Sequence, residues 1–390
     1  MPKKVFITRK THLPDPTEPK LNEQNPSEQS DVLSLSREDS TNTPKTNIPD
    51  IKDHQPQQIN KLKLNKSILL IDTSYWVYYR FFALRNWYKK AYPDIDTTVE
   101  TFNWLEDKTF MEKYEKTFLE GINTICNMWN IPLCNVVFCI DCPYKTIWRY
   151  EHHTEYKGTR LDTHKRNGFN SFAIFDTVKQ ILIPKLVTKY KMNSIMVDKC
   201  EADDIVGNLS MYLADKIISN SSDAQPNTDI KQNVNICILA SDNDYIQICT
   251  DNVILVDGVG KQLCENKKAQ GGEKYLVKKI LSGDVSDNID SCYVCCDYLV
   301  EHCGVKSVGK EEFKKCTPAI IEKMVTNDES YSIIIGFITK MRNKEHIVAD
   351  DILKVFKDAE QFTKNVLIID FKMIPIELKS NLLAKFEMIV

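Results

Sequence analysis

Residues 67–84 read SILLIDTSYWVYYRFFAL. The run from Ile68 to Ile71 is aliphatic without polar alternation, which is how a strand covered on both faces reads. It ends at a single carboxylate, Asp72, and the aromatic residues Tyr75, Tyr78, Tyr79 and Phe82 then recur at helical spacing. The same pattern returns in NVVFCID (135–141) and VNICILASDND (234–244). In each case an apolar strand runs out into an acidic residue. Carboxylates at the carboxyl ends of strands lie where open α/β sheets place their sites. Further strands are expected at 194–197 and 253–256, with helices over 172–190 and 202–217. This alternation predicts an α/β fold, a mostly parallel sheet with helices on both faces.

Two more acidic clusters complete a set. CEADDIVG carries Glu201, Asp203 and Asp204, and SGDVSDNI carries Asp284 and Asp287. With Asp72, Asp141, Asp242 and Asp244 they make nine carboxylates in five groups. Glu201 and Asp204 are three apart at a helix start and share a face. Asp242 and Asp244 flank one residue beyond a strand and can point at one place. An isolated acidic pair is ordinary at a turn or a helix N-terminus. So many converging carboxylates repel one another unless a cation sits among them, and hard oxygen donors favour Mg²⁺ or Mn²⁺.

The bulk composition narrows the class. The chain has 390 residues, 42% of them hydrophobic, and a net charge of −3. That balance excludes a uniformly basic coat but leaves room for a local basic groove. No apolar run reaches the roughly 18–20 residues of a membrane span, and MPKKVFITRKTHLPD lacks the apolar core of a secretory signal. Thirteen cysteines, an odd number spread through strand-like and helix-like runs, point to a reducing intracellular compartment, not a disulfide framework. Residues 1–63 are rich in Pro, Ser, Thr, Asn, Gln and charge, and read as a disordered tail.

Five segments, in order, resemble the 5′-nuclease superfamily, which takes in the 5′→3′ exonuclease domain of bacterial DNA polymerase I, phage 5′-nucleases and flap endonucleases. They are LLIDTSYWVYYRFFAL (69–84), VVFCIDCPYKTIWRYEHHTEYKGTR (136–160), MVDKCEADDIVGNLS (196–210), ILASDNDYIQIC (238–249) and SGDVSDNI (282–289). The resemblance implies a PIN-like catalytic domain over 64–262 with a helical arch near 144–168. A helix-hairpin-helix duplex-binding region over 263–345 and a C-terminal segment over 346–390 packing on the core would follow. It implies two Mg²⁺ ions, with Mn²⁺ as a substitute. Asp72, Asp141, Glu201 and Asp203 would form the tighter site with Asp204 in support, and Asp242, Asp244, Asp284 and Asp287 the second.

Arg80 resembles the family's active-site arginine, and Lys157 and Arg160 the basic pair at the foot of the arch. Lys165 and Arg166 would line a backbone groove. GVKSVGKEEFKKC (304–316) looks like the glycine hairpin, with Ser307, Gly309 and Lys310 as phosphate contacts and a K⁺ ion as its expected cation. It has one glycine fewer than usual and follows the insertion DSCYVCCDYLVEHC (290–303). The cysteines there and at Cys316 lack a second Cys-x-x-Cys or His pair, so Zn²⁺ is not expected. FTKNVLIIDFKMIP (362–375) resembles a tail segment of phage and large-DNA-virus members, fits a strand-like piece on the core and suggests a viral source.

The resulting expectation is a monomeric, metal-dependent, structure-specific 5′→3′ exonuclease or flap endonuclease acting on DNA or RNA–DNA junctions in replication or repair. The tail would contact a replication factor. Two alternatives stand beside it: a 5′→3′ exoribonuclease, and a catalytically inactive nucleic-acid-binding protein. His152 and His153 read as surface residues, because hydrolysis at paired cations needs no histidine base.

Overall fold

The computed structural model describes residues 61–97, 102–158, 171–222, 234–264, 271–306, 309 and 311–390. The expected tail up to residue 60, the part of the expected arch from residue 159 on, with Arg160, Lys165 and Arg166, and Ser307 and Lys310 lie outside the described residues.

Five strands form one parallel sheet: β1 (Ile68–Asp72), β2 (Val136–Ile140), β3 (Asn193–Met196), β4 (Ile236–Leu239) and β5 (Val253–Val256), in the order β3-β2-β1-β4-β5. Four of the strands are short apolar runs and β3 opens on Asn193 and Ser194; the strand ends fall within two residues of the expected ones. Side chains alternate between two cores, as a period of two requires. Leu69, Ile71, Phe138 and Leu239 face a core built with α1 (Thr73–Ala91), α2 (Lys108–Met128), α3 (Ser171–Thr177) and α4 (Ile183–Tyr190). Ile68, Leu70, Val137 and Ile238 face the other core, covered by α5 (Ala202–Ser222) and the C-terminal residues Leu382 and Phe386. Burying each such side chain contributes about 1.5–3 kcal/mol, so both faces hold the sheet.

The register brings the acidic residues to one edge. Ile71 of β1 lies beside Phe138 of β2 and Leu239 of β4, so Asp72, Asp141 and Asp242 leave the sheet at the same end. The strand order reverses on either side of β1, which opens a crevice at those carboxyl ends.

A third core joins α6 (Gly272–Ser282), a two-stranded antiparallel ribbon of β6 (Tyr293–Cys295) and β7 (Phe313–Lys315), and the helices that follow. These are α7 (Cys296–His302), α8 (Pro318–Thr326), α9 (Asp328–Arg342), α10 (Ala349–Leu353) and α11 (Ala359–Ile369), whereas α12 (Ile376–Glu387) packs through Leu382 and Phe386 on the core shared with α5.

Four expectations need correction. Leu62 is buried and its amide donates to the carbonyl of Ile389, so the folded body starts before residue 64. The segment after Gly304 and Gly309 does not enter a second hairpin helix. It pairs as β7 with β6, and the next helix begins only at Pro318. VLII in 366–369 is helical, not strand-like. Asp358 caps α11, accepting from the amides of Glu360 and Gln361, and Phe362, Asn365, Val366 and Ile369 then fall on one buried face. Phe362 and Val366 are buried in the third core, and Phe371 in the core shared with α5. Finally, the stretch from Lys145 to Gly168, whose composition is charged and polar, is in part interior. Trp148, Arg149, Tyr156 and Lys157 are all buried.

All thirteen cysteines are free thiols. No helix among the described residues is long and apolar enough to cross a membrane.

Candidate metal centre

Asp72 is both the last residue of β1 and the N-cap of α1, where its Oδ1 accepts from the amide of Tyr75 at 3.0 Å. Its other oxygen accepts from the Tyr245 hydroxyl at 3.1 Å. Asp141 follows β2; its Oδ1 accepts from the amide of Ala202 at 2.7 Å, and its Oδ2 accepts from the Ser74 hydroxyl. That amide ties the end of β2 to the first turn of α5, which carries Asp203 and Asp204.

Glu201 sits just ahead of that turn. Its Oε1 accepts from Lys157 Nζ at 2.5 Å, and its Oε2 from Arg149 Nη1 at 2.8 Å and the Tyr156 hydroxyl at 3.0 Å. Asp204 is fully enclosed. Arg149 meets it with both terminal nitrogens, at 2.8 and 2.9 Å, and Trp148 Nε1 donates at 3.0 Å. One ligand atom from each of Glu201, Asp203 and Asp204 lies within 4.8 Å of the others.

The second group gathers around Lys279 of α6. Its ammonium is 2.8 Å from Asp244 and 2.7 Å from Asp284. Asp242 caps the turn that carries Asp244, accepting from the Asp244 amide at 2.9 Å. Gly283 has φ +66°, and a Cβ there would meet the Ile289 carbonyl oxygen at 2.4 Å. Only glycine lets the loop close through the paired backbone bonds of Asp284 and Ile289, each 2.8 Å. That closure aims Asp284 and Asp287. The Lys157 amide donates to the Asp287 carbonyl at 3.0 Å, and His153 Nε2 lies 2.6 Å from the Asn288 carbonyl oxygen, so the residue 153–157 turn and the acidic loop hold each other. This is a structural role for His153.

Asp72, Asp141, Glu201, Asp203, Asp242, Asp244 and Asp287 all line one cleft of about 390 Å³, with Lys157, Lys179, Ser74, Tyr78 and Phe175. Asp284 borders an adjoining recess together with Asp203, Asp244 and Asp287. Asp204 stands behind them, its oxygens occupied by Arg149 and Trp148.

The electrostatics match the crowding. Burial, then repulsion from Asp141, pushes the Asp72 carboxyl up to about 7. Burial and Asp242 push Asp244 up to about 6. Burial raises Asp141 despite its two donors, and burial with Glu201 raises Asp203. Burial alone would raise Glu201 too, but Lys157 and then Arg149 hold it below the usual carboxylate range. Carboxylates pushed up this way are short of positive charge. The donor set is oxygen throughout, so it fits hard divalent cations.

Two placements differ from the sequence reading. Arg80 does not reach the cleft. Ser74 and Tyr78 are the cleft-facing positions of α1, and Arg80 lies about 200° round the helix from Tyr78. Its guanidinium lies 5.5 Å from the Trp76 ring, on the side facing Gly121 of α2. Lys157 does reach the cleft, but as a buried partner of Glu201 with φ +56°. Arg149, Tyr156, Lys279 and Tyr245 were missed. Arg149 reads in sequence as one more cation in a charged stretch, and only its neighbour Trp148 hinted at burial.

A family model matches residues 67–280, more than half of the chain: the 5′-3′ exonuclease, N-terminal resolvase-like domain. The chain belongs to this family. Every carboxylate above except Asp284 and Asp287 lies inside the matched span of this 5′-3′ exonuclease domain, and those two follow it directly. Solved structures similar to the chain include the D15 protein of bacteriophage T5 co-crystallised with metal ions, at 13% identity and a TM-score of 0.47 over 83% of this chain and 99% of that one. A bacteriophage T5 flap endonuclease variant in a pseudo-enzyme–product complex with DNA and metal ions has 13% identity and a TM-score of 0.46, with the same coverage. The T5 5′-exonuclease with bound zinc ions has 13% identity and a TM-score of 0.48 over 83% of this chain and 100% of that one. No curated protein sequence matches the chain. The exonuclease family is one of nucleases, and membership makes this chain a hydrolase of phosphodiester bonds.

Proposed function

We propose that the chain is a divalent-metal-dependent, structure-specific 5′→3′ nuclease cutting DNA flaps, nicks or RNA–DNA junctions. The observation carrying this reading is the single cleft into which three strand ends, the first turn of α5 and the Gly283 loop deliver their carboxylates. Asp72, Asp141, Glu201 and Asp203 would hold one Mg²⁺, and Asp242, Asp244, Asp284 and Asp287 a second, with Mn²⁺ as a substitute. Paired divalent cations supply charge for the scissile phosphate and acidify a water for in-line attack, so no nucleophilic side chain is required.

The chain's own residues do the rest. Asp204, locked by Arg149 and Trp148, fixes the first turn of α5 and with it Glu201 and Asp203. Lys157 and Lys279 pair with the two acidic groups and would meet phosphate oxygens once cations take over the carboxylates. Gly304 and Gly309, with φ +65° and +80°, mark the candidate duplex contact and K⁺ position after α7. Monomeric action and a replication-factor contact through residues 1–63 belong to the same proposal.

The test is a panel of end-labelled 5′-flap, nicked-duplex, RNA–DNA hybrid and single-stranded RNA substrates, each incubated with Mg²⁺ or with EDTA. Cleavage of flap or nick from the 5′ side in Mg²⁺ alone is expected. Preferential digestion of single-stranded RNA would replace the reading with an exoribonuclease, and no cleavage of any substrate would contradict it.

A further inference from the structure

One wall of the cleft comes from α3 and the turn after it, which bring Phe175, Asp176 and Lys179. Ile174, Val178, Leu182 and Leu186 are all buried at strict intervals of four residues. An α-helix drifts about 40° per such interval, so this face could not stay on the core through three of them. The chain absorbs the drift with a wider turn over Val178–Leu182, where the Ile183 amide reaches back to the Val178 carbonyl. Such i→i+5 turns recur at functional sites. Phe175 and Lys179, also four apart, consequently share the neighbouring face, and both line the cleft.

Lys179 differs from the other cations of the site. Lys157 is paired with Glu201, Arg149 with Glu201 and Asp204, and Lys279 with Asp244 and Asp284. Lys179 is half-buried, lines a cleft with eight carboxylates, Asp176 of its own helix among them, and makes no ion pair among the described residues. A lysine serving only to balance the acids would have closed on one of them.

We propose that Lys179 and Phe175 form a phosphate subsite for the strand being cut, on this wall of the cleft. The Lys179 ammonium takes a phosphate oxygen, and the Phe175 ring offers a surface for the adjoining sugar or base. This rests on the nuclease reading for the identity of the ligand.

The test uses fluorescence anisotropy of labelled 5′-flap DNA in EDTA across a salt series, with the full chain as wild type, Lys179→Met and Lys179→Arg. Affinity is expected to fall about tenfold in Lys179→Met, as for a lost charge-assisted contact. The slope of log K against log salt should become shallower by about 0.7, the signature of one lost phosphate contact on a single strand, and Lys179→Arg should restore it. A merely structural lysine would leave the slope alone. Running 5′-phosphorylated and 5′-hydroxyl flaps side by side tells a terminal phosphate from an internal phosphodiester; either result supports the subsite. Equal affinity and slope in wild type and Lys179→Met, or no DNA binding by the wild type, would overturn it. Mg²⁺-dependent cleavage is scored separately on the same proteins. A chain that binds through Lys179 without cutting sinks the nuclease reading alone, and a chain that cuts while ignoring Lys179 sinks the subsite alone.

Discussion

Asp141→Asn is expected to lower the rate of flap cleavage by at least about 10²–10³-fold, the range for losing one preorganised electrostatic group at a reacting centre. Asparagine keeps the shape of the side chain and removes its charge. Asp141 stands at the crossing of the site: it accepts from Ser74 on α1 and Ala202 on α5, and its charge helps push Asp72 up to about 7. Neutralising it weakens cation binding while relieving repulsion, so DNA affinity in EDTA should hold or improve. Single-turnover cleavage and anisotropy on the same preparation separate the two effects. Cleavage equal to wild type would remove Asp141 from the reaction; weaker DNA binding would make its role structural.

Arg149→Met is expected to have the largest effect on stability, about 3–5 kcal/mol, because it strips the counter-charge from carboxylates that stay buried. The guanidinium holds Asp204 with two nitrogens and Glu201 with one, and its Nε donates to the Ile368 carbonyl at 2.9 Å. It therefore joins the end of α11 to the acidic first turn of α5. Cleavage should fall with stability, since Glu201 loses its anchor. Arg149→Lys keeps the charge but cannot span the same partners, and should be intermediate. Urea unfolding measures the loss. Adding Asp204→Asn to Arg149→Met should cost less than the two single changes summed, since the second removes the charge the first orphaned. Strict additivity would mean that the pair does not interact.

The sheet was legible because most of its strands are short apolar runs closed by a polar signal, and such runs admit few alternatives. The acidic set was legible because its members sit at strand ends and helix starts, positions that local pattern reveals. What escaped was set by tertiary partners. Arg149 and Tyr156 lie in a segment whose composition reads as solvated, and their burial follows from Glu201, Asp204 and the distant Ile368 carbonyl. Arg80 was placed by distance along the chain from Asp72, whereas the angle round α1 decides which face it takes. In 366–369 the β-branched residues suggested a strand, and the Asp358 cap with the spacing of Phe362, Val366 and Ile369 made a helix instead. At β7 the glycines foretold a turn, but not that the following residues would pair with β6.

Calorimetric titration of the chain with Mn²⁺ tests most directly whether the cleft is a cation site. Two bound ions are expected for the wild type. Asp141→Asn should lose the tighter one and Asp244→Asn the weaker. Isotherms that coincide for the three proteins, or no Mn²⁺ uptake by the wild type, would contradict the account.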